Sequence, residues 1–264
     1  MTPLVDTHAH LDGLKNGDPS AIAAALDAAR AAGVVRLVAV GGHPDGNRIA
    51  AQAARQWPDR VRAAVGFDRY CAERTDLDDA ELTAQLDQPG VVAVGEIGLD
   101  FHYAAQTAEA QQALFKRMLD KAKERRLPIV VHCREAEEVM APLLEAHAAR
   151  WSGEPHRIGV IHCFTGSPVF AQKALACGFH ISFSGILTFP KADNVRTAAL
   201  AVPEERLLVE TDTPFLAPVP HRGKPNEPQW VGLVLQELAR VKNVDPAHLA
   251  AVTTANAWRL FGLG

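Results

Sequence analysis

Residues 128–134, Pro128-Ile129-Val130-Val131-His132-Cys133-Arg134, and residues 158–164, Ile158-Gly159-Val160-Ile161-His162-Cys163-Phe164, follow one plan: four nonpolar residues, then His, then Cys. Such a short, near-continuous apolar run suits a strand buried on both faces of a parallel sheet. The link 133–157 between them easily holds a crossover helix. Working outward, the eight strand candidates lie near 4–10, 34–40, 61–67, 91–98, 128–132, 157–162, 179–184 and 206–211. Ala/Leu-rich helical stretches separate them near 19–32, 44–57, 76–87, 106–126, 135–149 and 168–177, and two more follow near 228–242 and 246–261. The link 185–205 holds at most a short helix. Asp18-Pro19 and Asp245-Pro246 each set an acceptor before a first-turn proline. Eight strand–helix alternations over 264 residues fit an α/β fold, a single (β/α)8 TIM-type barrel occupying residues 1–264 as one domain, better than the alternative, an open doubly wound sheet.

Composition narrows the function classes. The chain carries 27 Lys and Arg against 31 Asp and Glu, a net charge of −4, so no global positive field draws it onto nucleic acid. A local basic patch or bound metal ions could still hold phosphate. The basic run Lys116 to Arg126 includes Asp120 and Glu124 and reads as a solvated outer helix. The four cysteines form no CxxC pair, which suits reduced thiols. No basic-then-apolar leader is visible at residues 1–6, and no apolar run approaches the roughly 18 residues of a membrane span. A cytoplasmic protein with no membrane association and no obligate protein partner is expected.

In a barrel of this kind the chemistry sits at the C-terminal ends of the strands. The first candidate strand runs Leu4-Val5-Asp6-Thr7-His8-Ala9-His10, and alternation puts Asp6, His8 and His10 on one face. The fourth ends Val94-Gly95-Glu96-Ile97-Gly98-Leu99-Asp100, where Glu96 interrupts an apolar run. A buried carboxylate needs a partner or an ion, and no basic residue in any strand is an obvious partner. The fifth and sixth strands end on His132 and His162, with Cys133 and Cys163 expected to point away toward the helices. The eighth runs Leu207-Leu208-Val209-Glu210-Thr211-Asp212. His8, His10, Glu96, His132, His162 and Asp212 thus all stand at predicted strand ends, and a barrel brings all six to one mouth. Four imidazoles and two carboxylates without thiolates describe a site for one or two divalent cations.

The same stretches carry a resemblance. Asp6-Thr7-His8-Ala9-His10-Leu11-Asp12, Gly95-Glu96-Ile97-Gly98-Leu99-Asp100, His132-Cys133-Arg134-Glu135-Ala136, His162-Cys163-Phe164-Thr165-Gly166-Ser167 and Glu210-Thr211-Asp212-Thr213-Pro214 together resemble the TatD family of metal-dependent deoxyribonucleases, within the amidohydrolase-like superfamily. Arg222-Gly223-Lys224-Pro225-Asn226-Glu227-Pro228 is similar as well, and the likeness runs from residue 4 to about 261. The resemblance implies two divalent metal ions (Mg, Mn or Zn), with room for a third. His8, His10 and Asp212 would hold one ion, His132 and His162 the second, and Glu96 would bridge them. It implies a hydrolase cleaving phosphodiester bonds of DNA with a metal-activated water, a 3′–5′ exonuclease acting on single strands or ends. The residues alone leave DNA against RNA, and digestion from an end against internal cutting, open.

Asp212 is the candidate general base, and Arg134 and Arg222 are the candidate phosphate donors. Glu210 and Asp6 are expected to support the ligands rather than bind. The sequence departs from the family at Gly66-Phe67-Asp68-Arg69, where many relatives carry Gly-x-His-Pro, so the substrate-facing loop there is expected to differ. The alternative activity is hydrolysis of a C–N or ester bond in a small or tRNA-linked substrate. Binuclear enzymes of that kind often bridge their metals with a carbamylated lysine, and no Lys stands at a strand end here.

Overall fold

The computed structural model describes residues 2–263. The apolar runs form eight strands: β1 (Leu4–Ala9), β2 (Val34–Gly42), β3 (Val61–Phe67), β4 (Val91–Asp100), β5 (Ile129–Arg134), β6 (Gly159–Ile161), β7 (His180–Phe183) and β8 (Leu207–Val209). They lie side by side in sequence order, each parallel to the next. Beyond the end of β8 the ring is closed onto β1. A bridge pairs Ala9 with Thr213, the Asp212 N–H donates to the His8 carbonyl at 2.9 Å, and the His10 N–H donates to the Thr213 carbonyl at 2.7 Å. This is a (β/α)8 barrel.

The helices are α1 (Pro19–Ala31), α2 (Pro44–Gln56), α3 (Asp79–Leu86), α4 (Phe101–Ala104), α5 (Ala108–Arg125), α6 (Glu137–Ala149), α7 (Pro168–Ala176), α8 (Asp193–Ala201), α9 (Val231–Lys242) and α10 (Pro246–Phe261). Asp18 and Asp245 cap α1 and α10 as their Asp-Pro pairs predict, accepting from the Ala21 and His248 N–H groups. The link 185–205 holds α8, a nine-residue helix, as expected of a short one. On α5 the basic run faces outward, where Arg117 and Lys121 meet Asp79 and Arg125 meets Asp87. No helix among the described residues is long and apolar enough to cross a membrane.

Two apolar layers fix the site's position. Outward-facing strand residues such as Leu37, Val65, Ile97, Val131 and Ile181 pack under the helices. Inward-facing Val5, Val38, Val40, Ala64, Ala93, Val130, Val160 and Leu208 fill the barrel, joined by Ala257, Leu260 and Phe261 of α10. That helix plugs the N-terminal end: Thr254 donates to the Pro3 carbonyl before β1, and Asn256 donates to the Leu207 carbonyl at the start of β8. With the N-terminal end of the barrel interior filled by hydrocarbon, the interior opens to polar groups at the C-terminal mouth.

Candidate active site

The six predicted side chains meet at that mouth. His8 Nε2 and His10 Nε2 are 3.1 Å apart, and lie 3.7 and 3.6 Å from Asp212 Oδ1. On the other side, His132 Nδ1 and His162 Nε2 are 3.3 Å apart. Glu96 stands between: Oε2 faces His8 and His10 at 3.7 and 3.4 Å, and Oε1 faces His132 and His162 at 3.1 and 3.3 Å. His8–His10–Asp212 and Glu96–His132–His162 each form a cluster compact enough for one metal ion. A third grouping, His8–His162–Glu210, adjoins them. The donors are nitrogen and carboxylate oxygen throughout, which fits divalent cations.

The outer imidazole nitrogens are held so that the inner ones converge. His10 Nδ1 sits 3.1 Å from the Val40 carbonyl, His132 Nε2 3.1 Å from Asp100 Oδ2, and His162 Nδ1 3.3 Å from Glu210 Oε1. Each acceptor places the ring proton on the outer nitrogen and leaves the inner lone pair for an ion. His8 stacks on His162 with ring centroids 4.0 Å apart. Glu210 also accepts from the Cys163 N–H at 2.6 Å, and Asp6 accepts from the Thr211 N–H and hydroxyl at 2.9 and 2.6 Å. Both carboxylates brace the ligands from behind.

The electrostatics are those of a cation site. Burial opposes charge on Glu96, yet His162 and Arg69 hold its carboxyl well below the usual carboxylate range. Burial also opposes charge on Asp100, but His132 and the Tyr103 N–H bring it down to about 2. Burial resists protonation of His162, and Glu96 and Glu210 overcome it, raising the imidazole to about 10 without a cation, so an ion binding at the inner nitrogen would displace that proton. Burial and the neighbouring imidazoles of His162 and His10 hold His8 well below its ordinary value.

Three polar residues at this mouth were not among the sequence candidates. Arg69, two positions beyond β3, donates from Nη1 to Glu96 Oε1 at 2.7 Å and lies 3.5 Å from both Asp68 and Asp100. Glu96 therefore has a basic partner, which comes from a loop rather than from a strand. The Gly66–Arg69 departure marked this loop as different, but not that its Asp68-Arg69 pair turns inward. Burial and Glu96 push Asp68 up to about 6.

Cys163 also departs from expectation. It does not turn to the helix layer: β6 ends at Ile161, so strand alternation has stopped, and the left-handed Cys163 (φ 43°) borders the mouth with Sγ 3.1 Å from Ser184 Oγ. Cys133 is half-buried and packs against the helix-side core, although it too borders the mouth.

The mouth opens into a cavity of about 520 Å³. Arg134 borders it, its guanidinium 4.8 Å from the centre of the Tyr103 ring. Arg222 is not brought there; it stacks on Phe189 at 4.2 Å beside a neighbouring cavity. The rim carries Tyr70, Tyr103 and Phe215, which are 63%, 62% and 56% exposed. Both tyrosines of the chain stand there.

Comparison with known proteins agrees with this geometry. The family model described as TatD related DNase matches residues 5–262. An uncharacterized metal-dependent hydrolase of Bacillus subtilis (strain 168) is 36% identical over 259 residues, covering 98% of each chain. A 3′-5′ ssDNA/RNA exonuclease TatD of Cronobacter sakazakii is 33% identical over 238 residues, covering 88% of this chain and 89% of its own. Among solved structures, a TatD homolog from Escherichia coli K12 superposes with a TM-score of 0.85 at 28% identity, covering 98% of both chains.

Proposed function

This chain belongs to the TatD related DNase family of metal-dependent hydrolases, and from that premise we propose that it is a deoxyribonuclease that digests single strands or strand ends in the 3′–5′ direction. One observation carries the reading: two metal-type ligand clusters lie side by side, with Glu96 of one facing His8 and His10 of the other, at the floor of a cavity whose rim bears Arg134 and three exposed aromatic rings. Aromatic faces receive unstacked bases of any sequence, and a guanidinium pairs with phosphate, so such a rim suits a single strand above a hydrolytic centre. The name of the Cronobacter sakazakii relative supports the same direction and strand state.

In this reading His8, His10 and Asp212 would hold one divalent ion, His132 and His162 would hold the other, and Glu96 would serve both. When bound, the pair lowers the pKa of the attacking water and neutralises charge on the phosphoryl oxygens. The chain's own groups do the rest. Arg134 holds the phosphodiester against the centre. Asp212, at the lip of the His8–His10 cluster, takes the proton as the water oxygen bonds to phosphorus and the bond to the departing sugar oxygen breaks, and that oxygen takes up a proton from solvent. No lysine borders this cavity among the described residues, so Glu96 fills the bridging position that a carbamylated lysine takes in many amide hydrolases.

The test is hydrolysis of end-labelled single-stranded DNA by metal-stripped protein with Mg or Mn restored. We expect shortening from the 3′ end, reduced at least about 100-fold in Glu96→Ala. Asp212→Asn, with metal occupancy measured, is expected to keep its ions and lose turnover. A wild type that binds metal and leaves DNA intact would redirect the assignment to amide or ester substrates.

A further inference from the structure

Beside the metal cavity lies a second one, of about 720 Å³, and the two share Cys133, Arg134, Thr165 and Ile186 in their walls. Three cations border it: Arg134 on the shared wall, and Lys191 and Arg222 farther out. The carboxylates there are engaged elsewhere. Glu137 accepts from the Ser167 N–H and hydroxyl at 2.8 and 2.5 Å, and Glu135 pairs with His102 Nδ1 at 2.6 Å. Arg134 and Arg222 lie instead over aromatic rings, those of Tyr103 and Phe189. The cavity therefore presents positive charge and one stacking plane, that of Phe189, with its own acids already occupied.

The outer wall is built rather than loose. Arg196 donates to the carbonyls of Leu187, Phe189 and Pro190, pinning the turn that carries Phe189 and Lys191. The segment carrying Arg222 is tied to that turn where the Val219 N–H donates to Thr188 Oγ1 at 2.9 Å. A Cβ on Gly185 would lie 1.9 Å from the Leu216 carbonyl oxygen, so the two segments pack backbone to backbone. A fixed wall with unpaired cations loses little entropy when an anion binds.

We propose that this second cavity is a strand subsite, in which Lys191 and Arg222 hold the phosphates of nucleotides next to the scissile one and the Arg222–Phe189 stack receives a base. The subsite rests on the nuclease reading of the metal cavity and extends it: substrates long enough to cross Arg134 and reach Lys191 are favoured over dinucleotides. Guanidinium planes and aromatic faces both accept bases by stacking, and phosphate contacts make binding salt-dependent.

The test compares wild type with Lys191→Glu, a change at an exposed side chain. Three substrates are used with Mn present: bis(p-nitrophenyl) phosphate, a dinucleotide and an eight-nucleotide single strand. Reversal of one phosphate-contacting charge is expected to raise KM for the octanucleotide by about tenfold. Turnover of the small diester should stay within about twofold, since it fills only the metal cavity. Arg222→Gln is expected to show the same dependence on substrate length. A parallel measurement uses fluorescence anisotropy of the labelled octanucleotide on Glu96→Ala protein. Adding Lys191→Glu should flatten the plot of log affinity against log salt by about 0.7, one single-strand phosphate contact. Unchanged octanucleotide KM and salt slope in both variants would overturn the subsite. Failure of the wild type to cleave any strand while hydrolysing the small diester would instead defeat the nuclease reading, and the anisotropy would still decide whether the cavity holds a strand.

Discussion

Glu96 Oε1 is contested. It accepts from Arg69 at 2.7 Å while facing His132 Nδ1 and His162 Nε2, so a divalent ion bound there would compete with a guanidinium for one oxygen. A nearby fixed positive charge also repels the ion. Arg69→Gln removes both effects, and isothermal titration with Mn should show the affinity of the Glu96–His132–His162 cluster rising by roughly tenfold. Unchanged or weaker Mn binding would mean that Arg69 serves to orient Glu96. The residue scale is also where sequence reading was most and least successful. A carboxylate inside the apolar run Val91–Leu99 stands out because a buried charge there demands a partner or an ion. Arg69 and Asp68 lie just past a strand, where polar residues are the rule, so nothing local marks them as pointing inward. The structure is needed to show that the β3 end tucks them against Glu96.

At the scale of the element, the site depends on how closely β4 and β5 approach. Gly98 pairs with His132 and has φ 152°, and a Cβ there would lie 2.0 Å from the His132 carbonyl oxygen. Gly98→Ala must part the two strands or twist His132 off its lone-pair direction. A loss of about 3 kcal/mol is expected, seen as a fall in Tm of about 10 °C, together with weaker Mn binding. A variant with wild-type Tm would show that the strands have slack that this register does not suggest. The strand and helix pattern was legible because each buried run is bracketed by helix caps and stops such as Asp18 and Gly33. Strand ends were not. β6 stops at Ile161 and β8 at Val209, short of the expected ends at 162 and 211, because pairing ends with the apolar run where the polar residues begin. Cys163 was misplaced for that reason, since alternation was carried one step beyond the last ladder bond.

For the molecule as a whole, two buried histidines outside the mouth contribute to acid sensitivity. His180, at the start of β7, is fully buried, and burial with Arg206 nearby holds its imidazole down at about 3. His147 on α6, also buried, is held at about 4 by burial and Arg150. Unfolded, each titrates near 6.5, so between that value and its native pKa the unfolded chain binds the extra proton. Stability from these groups is therefore complete above about pH 6.5 and is lost as pH falls toward 4 and 3. From pH 7 to pH 5 each contributes a loss of about 2 kcal/mol. Other groups titrate in the same interval, and Asp6, raised to about 7 by burial, acts in the opposite sense. A difference measurement isolates one histidine. Urea unfolding of wild type and His180→Gln in EDTA, at pH 7 and pH 5, should give a pH-dependent loss about 2 kcal/mol smaller in the variant, because a side-chain amide has no proton to gain on unfolding. Equal losses in the two proteins would mean that His180 is protonated in the native barrel, with a counter-charge reaching it through the seam between β6 and β7.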